Sequence, residues 1–398
     1  MNQPLKVGLI GVGGFGETHL RTLQRLETEG LVQLVCVSDP RYETLADTRR
    51  ALESRGIRWH AHYRRLLERE SEIEVVSIAA PIHLHMEITR AAIARGLFVY
   101  LEKPPVPSLQ QLNELISLDA RKQVAVGFQL LHSHPVQQLK LWRTQAALGD
   151  IRSIRVHGCV PRTPAYYARA PWAGRMVLDG LPVFDGPATN ALSHWLHNIM
   201  YLAGEQMDTF AVPTQVEAEL YRIKPIDSYD TICMRGRFAS DVRFYYAVTH
   251  ATQELVRCRL EIAGTKGRAW IIENGSVAEN NLGLPESINP CADPFEESWR
   301  QFVRFTRGER APMTTLENTR GYILATNAAL ESSGGIHRCD WTPPEMTEKQ
   351  NRTDKLARLI EHSVREGRLF SEMNVPWACS CRPVQTTDVR GSAITQAG

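Results

Sequence analysis

Six residues, Gly11-Val12-Gly13-Gly14-Phe15-Gly16, constrain this chain more than any other stretch of it. They fit G-x-G-x-x-G, which means little alone because glycines cluster in many loops. Here they follow directly on the apolar run Val7–Ile10 and open a helical pattern carrying Leu20 and Leu23. Strand, glycine turn and helix in that order are what binding a dinucleotide requires. Gly11 permits the tight turn, Gly13 lets the backbone approach a pyrophosphate, and Gly16 lets the helix pack close to the strand. Gly14 and Phe15 complete the loop, and the N–H groups and dipole at the helix start favour the anion. Asp39 follows a second apolar strand, Val32–Val37. An acid about 20 residues beyond the loop can accept hydrogen bonds from the adenosine ribose and would repel a 2′-phosphate. The expected cofactor is therefore NAD rather than NADP, with Arg41 close enough to blur the preference.

The rest of the first third continues the alternation. Glu74–Ala79, Leu97–Leu101 and Val124–Phe128 read as apolar strands, separated by helical stretches at His83–Arg95 and Leu109–Lys122. Alternating strands and helices make βαβ units and a parallel sheet covered on both faces. After about Gly149 the strands lengthen and their connections shorten, as at Ala239-Ser240-Asp241 and Gly264-Thr265-Lys266-Gly267. Short turns between successive strands indicate an antiparallel sheet. The expected class is α/β: an N-terminal doubly wound Rossmann sheet over residues 1–128, then an α/β domain with an open, mostly antiparallel sheet over 129–344. Residues 345–398 are expected to add a helix and, from about Arg382, a mobile tail rich in Thr, Ser, Gln and Gly.

Composition closes off other classes. Among 398 residues, 46 Lys plus Arg balance 44 Asp plus Glu, leaving a formal charge of +2. A protein that binds nucleic acid through its phosphates needs a basic surface, so no nucleic-acid partner is expected. No run approaches the ~20 apolar residues that span a bilayer, and no leader pattern precedes the first strand. The eight cysteines are scattered, mostly in apolar strands, as reduced thiols in a cytoplasmic protein would be. Cys379 and Cys381 form a lone C-x-C without a second ligand pair, so no metal site is expected.

Three further segments could carry chemistry. Glu102-Lys103-Pro104 follows the strand Leu97–Leu101, where ligands of doubly wound sheets bind; a lysine there is otherwise an ordinary solvated charge. The helical pattern Pro187–Ala203 is apolar except for Asn190, His194, His197 and Tyr201, whose spacing puts them on one face. Such a stripe either lines a cavity or makes hydrogen bonds in a core. His194 and His197 lack a third metal ligand. Tyr166, Tyr167, Trp172 and Arg175 lie in one connection, and rings with an arginine suit the apolar face and hydroxyls of a sugar.

Taken in order, GVGGFG at 11–16, Asp39, AAPIHLH at 79–85, EKP at 102–104, GFQLLHSHP at 127–135 and the helix carrying His194 and ending in LAG at 202–204 resemble the Gfo/Idh/MocA family, the glucose–fructose oxidoreductase and inositol dehydrogenase group. The resemblance covers roughly residues 5–335. It implies a hydride transfer between NAD and a secondary alcohol of a sugar, sugar derivative or cyclitol. Lys103 matches the family's lysine and His194 its acid/base histidine. Asn190 stands where an Asp is usual, and Asn cannot carry negative charge; it can still position a hydroxyl, and Asp185 is a possible substitute acid. Pro81, His85, Glu102 and Lys103 fall on the cofactor side, while Tyr166, Tyr167, Trp172, Arg175, Asn190 and His197 fall on the substrate side. Two other activities fit the same residues: an NAD-dependent glycosidase or lyase working through transient oxidation and elimination, and a non-catalytic sensor of NAD and sugar. The family habit, and an apolar strand face with Phe244, Tyr246 and Val248, imply a homo-oligomer built on the antiparallel sheet.

Overall fold

The computed structural model describes residues 3–288, 293–309, 314–339, 349–391 and 394, with the backbone alone for 349–354. Cys291 and Pro344 lie outside the described residues. No helix among the described residues is long and apolar enough to cross a membrane. The chain divides into two compact units, one of residues up to Val106, 111–129 and 295–319, the other of the remainder.

The first unit begins with β1 (Leu5–Ile10), α1 (Gly16–Thr28), β2 (Val32–Ser38), α2 (Ala46–Glu53), β3 (Arg58–His60), α3 (Tyr63–Arg69), β4 (Val75–Ile78), α4 (His85–Ala94), β5 (Phe98–Leu101), α5 (Leu109–Leu118) and β6 (Val124–Val126). The six strands form one parallel sheet in the order β3-β2-β1-β4-β5-β6. The order reverses between β1 and β4, and the crevice for a ligand opens at the carboxyl ends of those two strands. Val7 and Leu9 of β1 and Val75 of β4 are fully buried, as strands with helices on both faces must be.

The second unit contains α6 (His134–Thr144), β7 (Ile151–Cys159), α7 (Pro164–Ala168), β8 (Val177–Leu178), β9 (Leu181–Pro182), α8 (Ser193–Ala203), β10 (Pro213–Arg222), β11 (Thr231–Phe238), β12 (Arg243–Thr249), β13 (Val256–Gly264), β14 (Arg268–Ile272) and β15 (Glu279–Asn280). The chain then gives the first unit one more helix, α9 (Pro294–Thr306). Phe295, Trp299, Phe302 and Val303 of α9 join the core under β1 and β2, and Trp299 stacks on Tyr100 with ring centroids 4.5 Å apart. The sequence places this helix with the second domain; its apolar face instead completes the first.

Back in the second unit follow α10 (Arg320–Ser333), β16 (His337–Arg338), α11 (Lys349–Glu366) and β17 (Val384–Gln385). The large sheet runs β15-β14-β13-β7-β12-β11-β10-β16, with β17 on β10. It is mixed, because β7–β12 and β10–β16 pair in parallel and the other pairs are antiparallel.

Two expectations change here. Phe244, Tyr246 and Val248 are wholly buried in the chain's own core, and the Tyr246 hydroxyl donates to the Leu192 carbonyl just before α8, so these residues cannot form an interface. The opposite face, with Cys159, Tyr221, Cys233 and Ala247, is covered by Leu356, Ile360, Val364 and Phe370 of α11 and the segment after it. The segment from Arg382, expected to be mobile, adds β17 to the sheet, and the Ser332 hydroxyl donates to the Arg382 carbonyl at 2.5 Å.

Candidate active site

In the first unit the glycine loop has the shape a dinucleotide requires. Gly11 holds φ +89°, and a Cβ there would lie 2.5 Å from the Ala79 carbonyl oxygen at the end of β4. A Cβ on Gly16 would lie 2.2 Å from the Gly11 carbonyl oxygen. Both glycines are thus enforced by close backbone approach, and the start of α1 is brought against the turn with no side chain capping it. This is a cradle for an anion at a helix N-terminus, and it fits the pyrophosphate of NAD.

Asp39 is held from two sides within the chain. Its Oδ2 accepts from the Val12 N–H at 2.9 Å and from Arg41 Nη2 at 2.7 Å, while Oδ1 accepts from Arg41 N–H and Nε, each at 3.0 Å. Burial works to raise its pKa, but the bonds from Arg41 and Val12 outweigh it and hold the carboxyl below the usual range. Asp39 therefore ties β2 to the glycine loop.

Glu102 is likewise turned inward. Its Oε1 lies 3.1 Å from His19 Nε2, and His19 Nδ1 lies 2.9 Å from the Ser77 hydroxyl. The hydroxyl can donate to Nδ1 while Nε2–H donates to the carboxylate. Oε2 accepts from the Lys103 N–H at 3.3 Å, so Glu102 anchors the turn that carries Lys103. His85, on the first turn of α4, reaches the Pro104 and Ala80 carbonyls, each at 2.9 Å. Burial pushes its pKa down against those contacts, and the ring clamps the loops after β4 and β5 together. Pro81 starts the short 3₁₀ turn that leads into His85. Sequence reasoning missed His19 and Ser77. The available signal was a histidine on the same helix face as Leu23 and Leu26, where burial demands a partner.

In the second unit the helix expected from Pro187 to Ala203 is broken. Pro187–Thr189 form a 3₁₀ turn, Asn190 has φ −138° and ψ −96°, and α8 begins at Ser193. Asn190 thus sits before the helix and His194 in its first turn. His197 is 0 % exposed, packed between the rings of Phe210 (5.1 Å) and Tyr322 (6.5 Å). Tyr201 packs on Phe210 as well. The lower half of the stripe, His197 included, is packed into the core.

The upper half meets a carboxylate. Asn190 Nδ2 donates to Asp185 Oδ1 at 2.7 Å and lies 3.5 Å from the Tyr166 hydroxyl; the other Asp185 oxygen accepts from the Gly174 N–H at 2.6 Å. Asp185 is buried, and the residue before it, Phe184, holds φ +52°, an uncommon conformation for a bulky residue that functional sites often retain. Arg169 lies 3.5 Å and Arg162 4.3 Å from the Tyr166 ring centre, and Arg169 also covers Trp172 at 4.8 Å. The Tyr167 hydroxyl is buried with no hydrogen-bond partner among the described residues. Burial, then the Asp185 charge, raise the Tyr166 pKa. Arg175 is exposed and contributes its carbonyl, which accepts from the Asp185 N–H at 2.9 Å. Carboxylate, amide, phenols and flat cation-covered rings are the groups that read a polyhydroxylated ring.

Comparison with known proteins bears on both units. The family model described as the oxidoreductase family with an NAD-binding Rossmann fold matches residues 5–130, and the GFO/IDH/MocA C-terminal domain model matches residues 136–270. The chain belongs to the Gfo/Idh/MocA oxidoreductases. Among curated relatives of this Gfo/Idh/MocA chain, an uncharacterized oxidoreductase of Synechocystis is 23% identical over 74% of this chain and 78% of its own length. Inositol 2-dehydrogenase of Streptomyces avermitilis is 31% identical over 39% of this chain, and the match spans under half of that enzyme, 45%. Among solved structures, the WlbA dehydrogenase of Bordetella pertussis, in complex with NADH and UDP-GlcNAcA, superposes with a TM-score of 0.71 at 19% identity, covering 83% of this chain and 97% of that one. The fold is the Gfo/Idh/MocA fold, and its cofactor is NAD.

Proposed function

We propose that this oxidoreductase oxidises a secondary alcohol of a sugar, sugar derivative or cyclitol, with His194 as the acid/base and Lys103 assisting. The observation that carries the reading is the Asp185–Asn190 hydrogen bond within a ring-lined cluster whose Tyr167 hydroxyl is buried without a partner. A buried polar group without a partner is rare in a native protein, and a substrate hydroxyl answers it. The relatives support the same reading, one being an inositol 2-dehydrogenase and one a dehydrogenase in complex with NADH and UDP-GlcNAcA.

Bound NAD supplies the hydride acceptor. Everything else is asked of the chain. His194 takes the hydroxyl proton, a task suited to an imidazole side chain. Lys103, at the carboxyl end of β5, stabilises negative charge developing on that oxygen. Asn190, held by Asp185, positions a neighbouring hydroxyl, and Tyr166, Tyr167 and Trp172 cover the ring. The Rossmann unit binds the cofactor, and the sheet unit holds the substrate.

The test is a screen of sugars, nucleotide sugars and cyclitols with NAD, following reduced cofactor by absorbance. His194→Ala and Lys103→Ala should each lower turnover by about 100-fold or more. Full turnover in both variants would remove the assignment, and glycoside cleavage without net cofactor reduction would replace a dehydrogenase by an elimination enzyme.

A further inference from the structure

Near Asn190 the second unit gathers three cations and gives none of them a carboxylate. Arg169, just after α7, is exposed, yet its guanidinium is fixed. Its Nη1 donates to the Tyr166 carbonyl at 2.6 Å, and its Cζ lies 3.5 Å from the Tyr166 ring centre and 4.8 Å from that of Trp172. Arg162, just before α7, is half-buried and lies 4.3 Å from the same Tyr166 ring centre. Its Nε is buried without a hydrogen-bond partner among the described residues. Lys224 is half-buried in the loop after β10. Asp230 holds the backbone of that loop, its Oδ2 accepting from the Ile223 N–H at 2.9 Å and the Lys224 N–H at 2.6 Å. Among the described residues, Arg162, Arg169 and Lys224 form no ion pair.

The buried acids nearby are engaged elsewhere. Asp185 accepts from the Gly174 N–H and the Asn190 amide, and Asp230 from the loop N–H groups and the Thr231 hydroxyl. His250, whose ring centre lies 6.5 Å from that of Tyr166, adds no charge. Burial first, and then the charges of Arg162, Lys224 and Arg169, push its pKa down to about 3 against its contact with the Val160 carbonyl at 2.7 Å. Like charges gathered without a counter-ion repel one another and attract an anion. Arg169 still has N–H donors to give, in the planar fork that matches a carboxylate or a phosphate. Two rings and a carbonyl order that fork before any ligand arrives, which lowers the entropy lost on binding. Tyr166 links these cations to the reacting end, because its hydroxyl lies 3.5 Å from Asn190 Nδ2. An anion on the arginines would thus sit one phenol ring from the amide, a separation on the scale of a sugar. We propose that Arg162 and Arg169, with Lys224 adding to the field, form an anion subsite beside Asn190, so that the substrate is an acidic sugar carrying a carboxylate or a phosphate. The proposal rests on the reading that the ring-lined cluster holds the substrate.

The experiment is calorimetric binding to the full chain, saturated with NAD⁺, of a hexose, its uronic acid and its 6-phosphate, in the gluco, galacto and manno series. In at least one series an acidic member should bind about tenfold or more tighter than its neutral parent, as a charge-assisted bond predicts. The uronate and phosphate arms show which anion the subsite takes. Arg169→Gln and Arg162→Gln should each lower the acid-to-neutral affinity ratio by about fivefold or more. Arg169→Lys keeps the charge without the fork and should recover part of the ratio, which should also fall as salt rises. Arg169 is exposed, and unchanged melting of its variants confirms folding. The proposal is overturned if no series prefers its acid, or if both glutamine variants leave the ratio unchanged. Binding needs neither proton nor hydride transfer, so the two readings fail separately. Reduction of NAD⁺ by neutral sugars with no preference for acids would remove the subsite and leave the oxidoreductase. An acid preference lost in Arg169→Gln, with no NAD⁺ reduced by any sugar, would keep the subsite and remove the proposed reaction.

Discussion

On the proposed reading, Asn190 and Asp185 divide between two residues what one carboxylate would do. The amide touches the site and the buried acid five positions earlier fixes it, through a bond of 2.7 Å. Asn190→Asp would place a second carboxylate against the first, and two like charges that close cannot both ionise. We expect its kcat/KM to fall by about tenfold or more. Exchanging the pair, Asp185→Asn with Asn190→Asp, restores one charge and one amide and should recover most of the loss. If the exchange is no better than the single change, the two do not act as a unit. These contacts explain which residues were legible. The glycines were, because their role is enforced by backbone a few positions away. Asp39 and Glu102 were recognised, but their partners within the chain, Arg41, the Val12 N–H and His19, were not, because the fold brings these to them.

At the scale of elements, α8 is held from its far end. Lys140 of α6 is wholly buried, and its Nζ donates to the carbonyls of Tyr201, Gly204 (2.8 Å) and Thr209 (3.1 Å) while lying 4.4 Å from the Tyr201 ring centre. A cation at a helix C-terminus meets the dipole favourably, and this one fixes the helix whose first turn carries His194. Burial, with a smaller contribution from Arg143, pushes its pKa down to about 7, against about 10.4 in the unfolded chain. Between those values the unfolded state binds the extra proton, so Lys140 makes stability rise with pH from about 7 to 10. Lys140→Met should abolish that rise and leave three carbonyls without a donor, destabilising by about 2–4 kcal/mol at pH 7. Chemical denaturation of both proteins across pH reads both effects; parallel pH profiles would show that Lys140 stays charged when folded. The break before α8 escaped the sequence because the Asn190-His194-His197-Tyr201 spacing suits a continuous helix. Thr189 Oγ1 accepts from the Gly186 N–H at 2.9 Å, favouring a turn there. For α9 the apolar spacing of Phe295, Trp299 and Phe302 shows that the helix packs, but not on which sheet.

Across the second unit, part of the outer face of the large sheet is covered by its own chain, while Arg155, His157, Arg259, Glu261 and Trp270 on the same face stay half-buried. Tyr221, Cys233 and Ala247 lie beneath Leu356, Ile360 and Phe370, and the Glu219 carboxylate accepts from the Ser371 hydroxyl at 2.5 Å and from the Tyr221 hydroxyl at 2.8 Å. Burial pushes the thiols of Cys159 and Cys36 up to about 12. β17 occupies part of the edge at β10. Removing residues 349–398 would therefore uncover an apolar sheet face and free part of β10, both of which promote association. We expect the full chain to elute at a smaller oligomeric state than the truncated one in light-scattering chromatography. The truncated chain should melt at least several degrees lower, since a loss of about 2 kcal/mol moves the midpoint by about 4 °C or more in a unit of this size. A truncated chain that keeps both the oligomeric state and the melting temperature would show that α11 only decorates the sheet, and would return its face to a role between subunits.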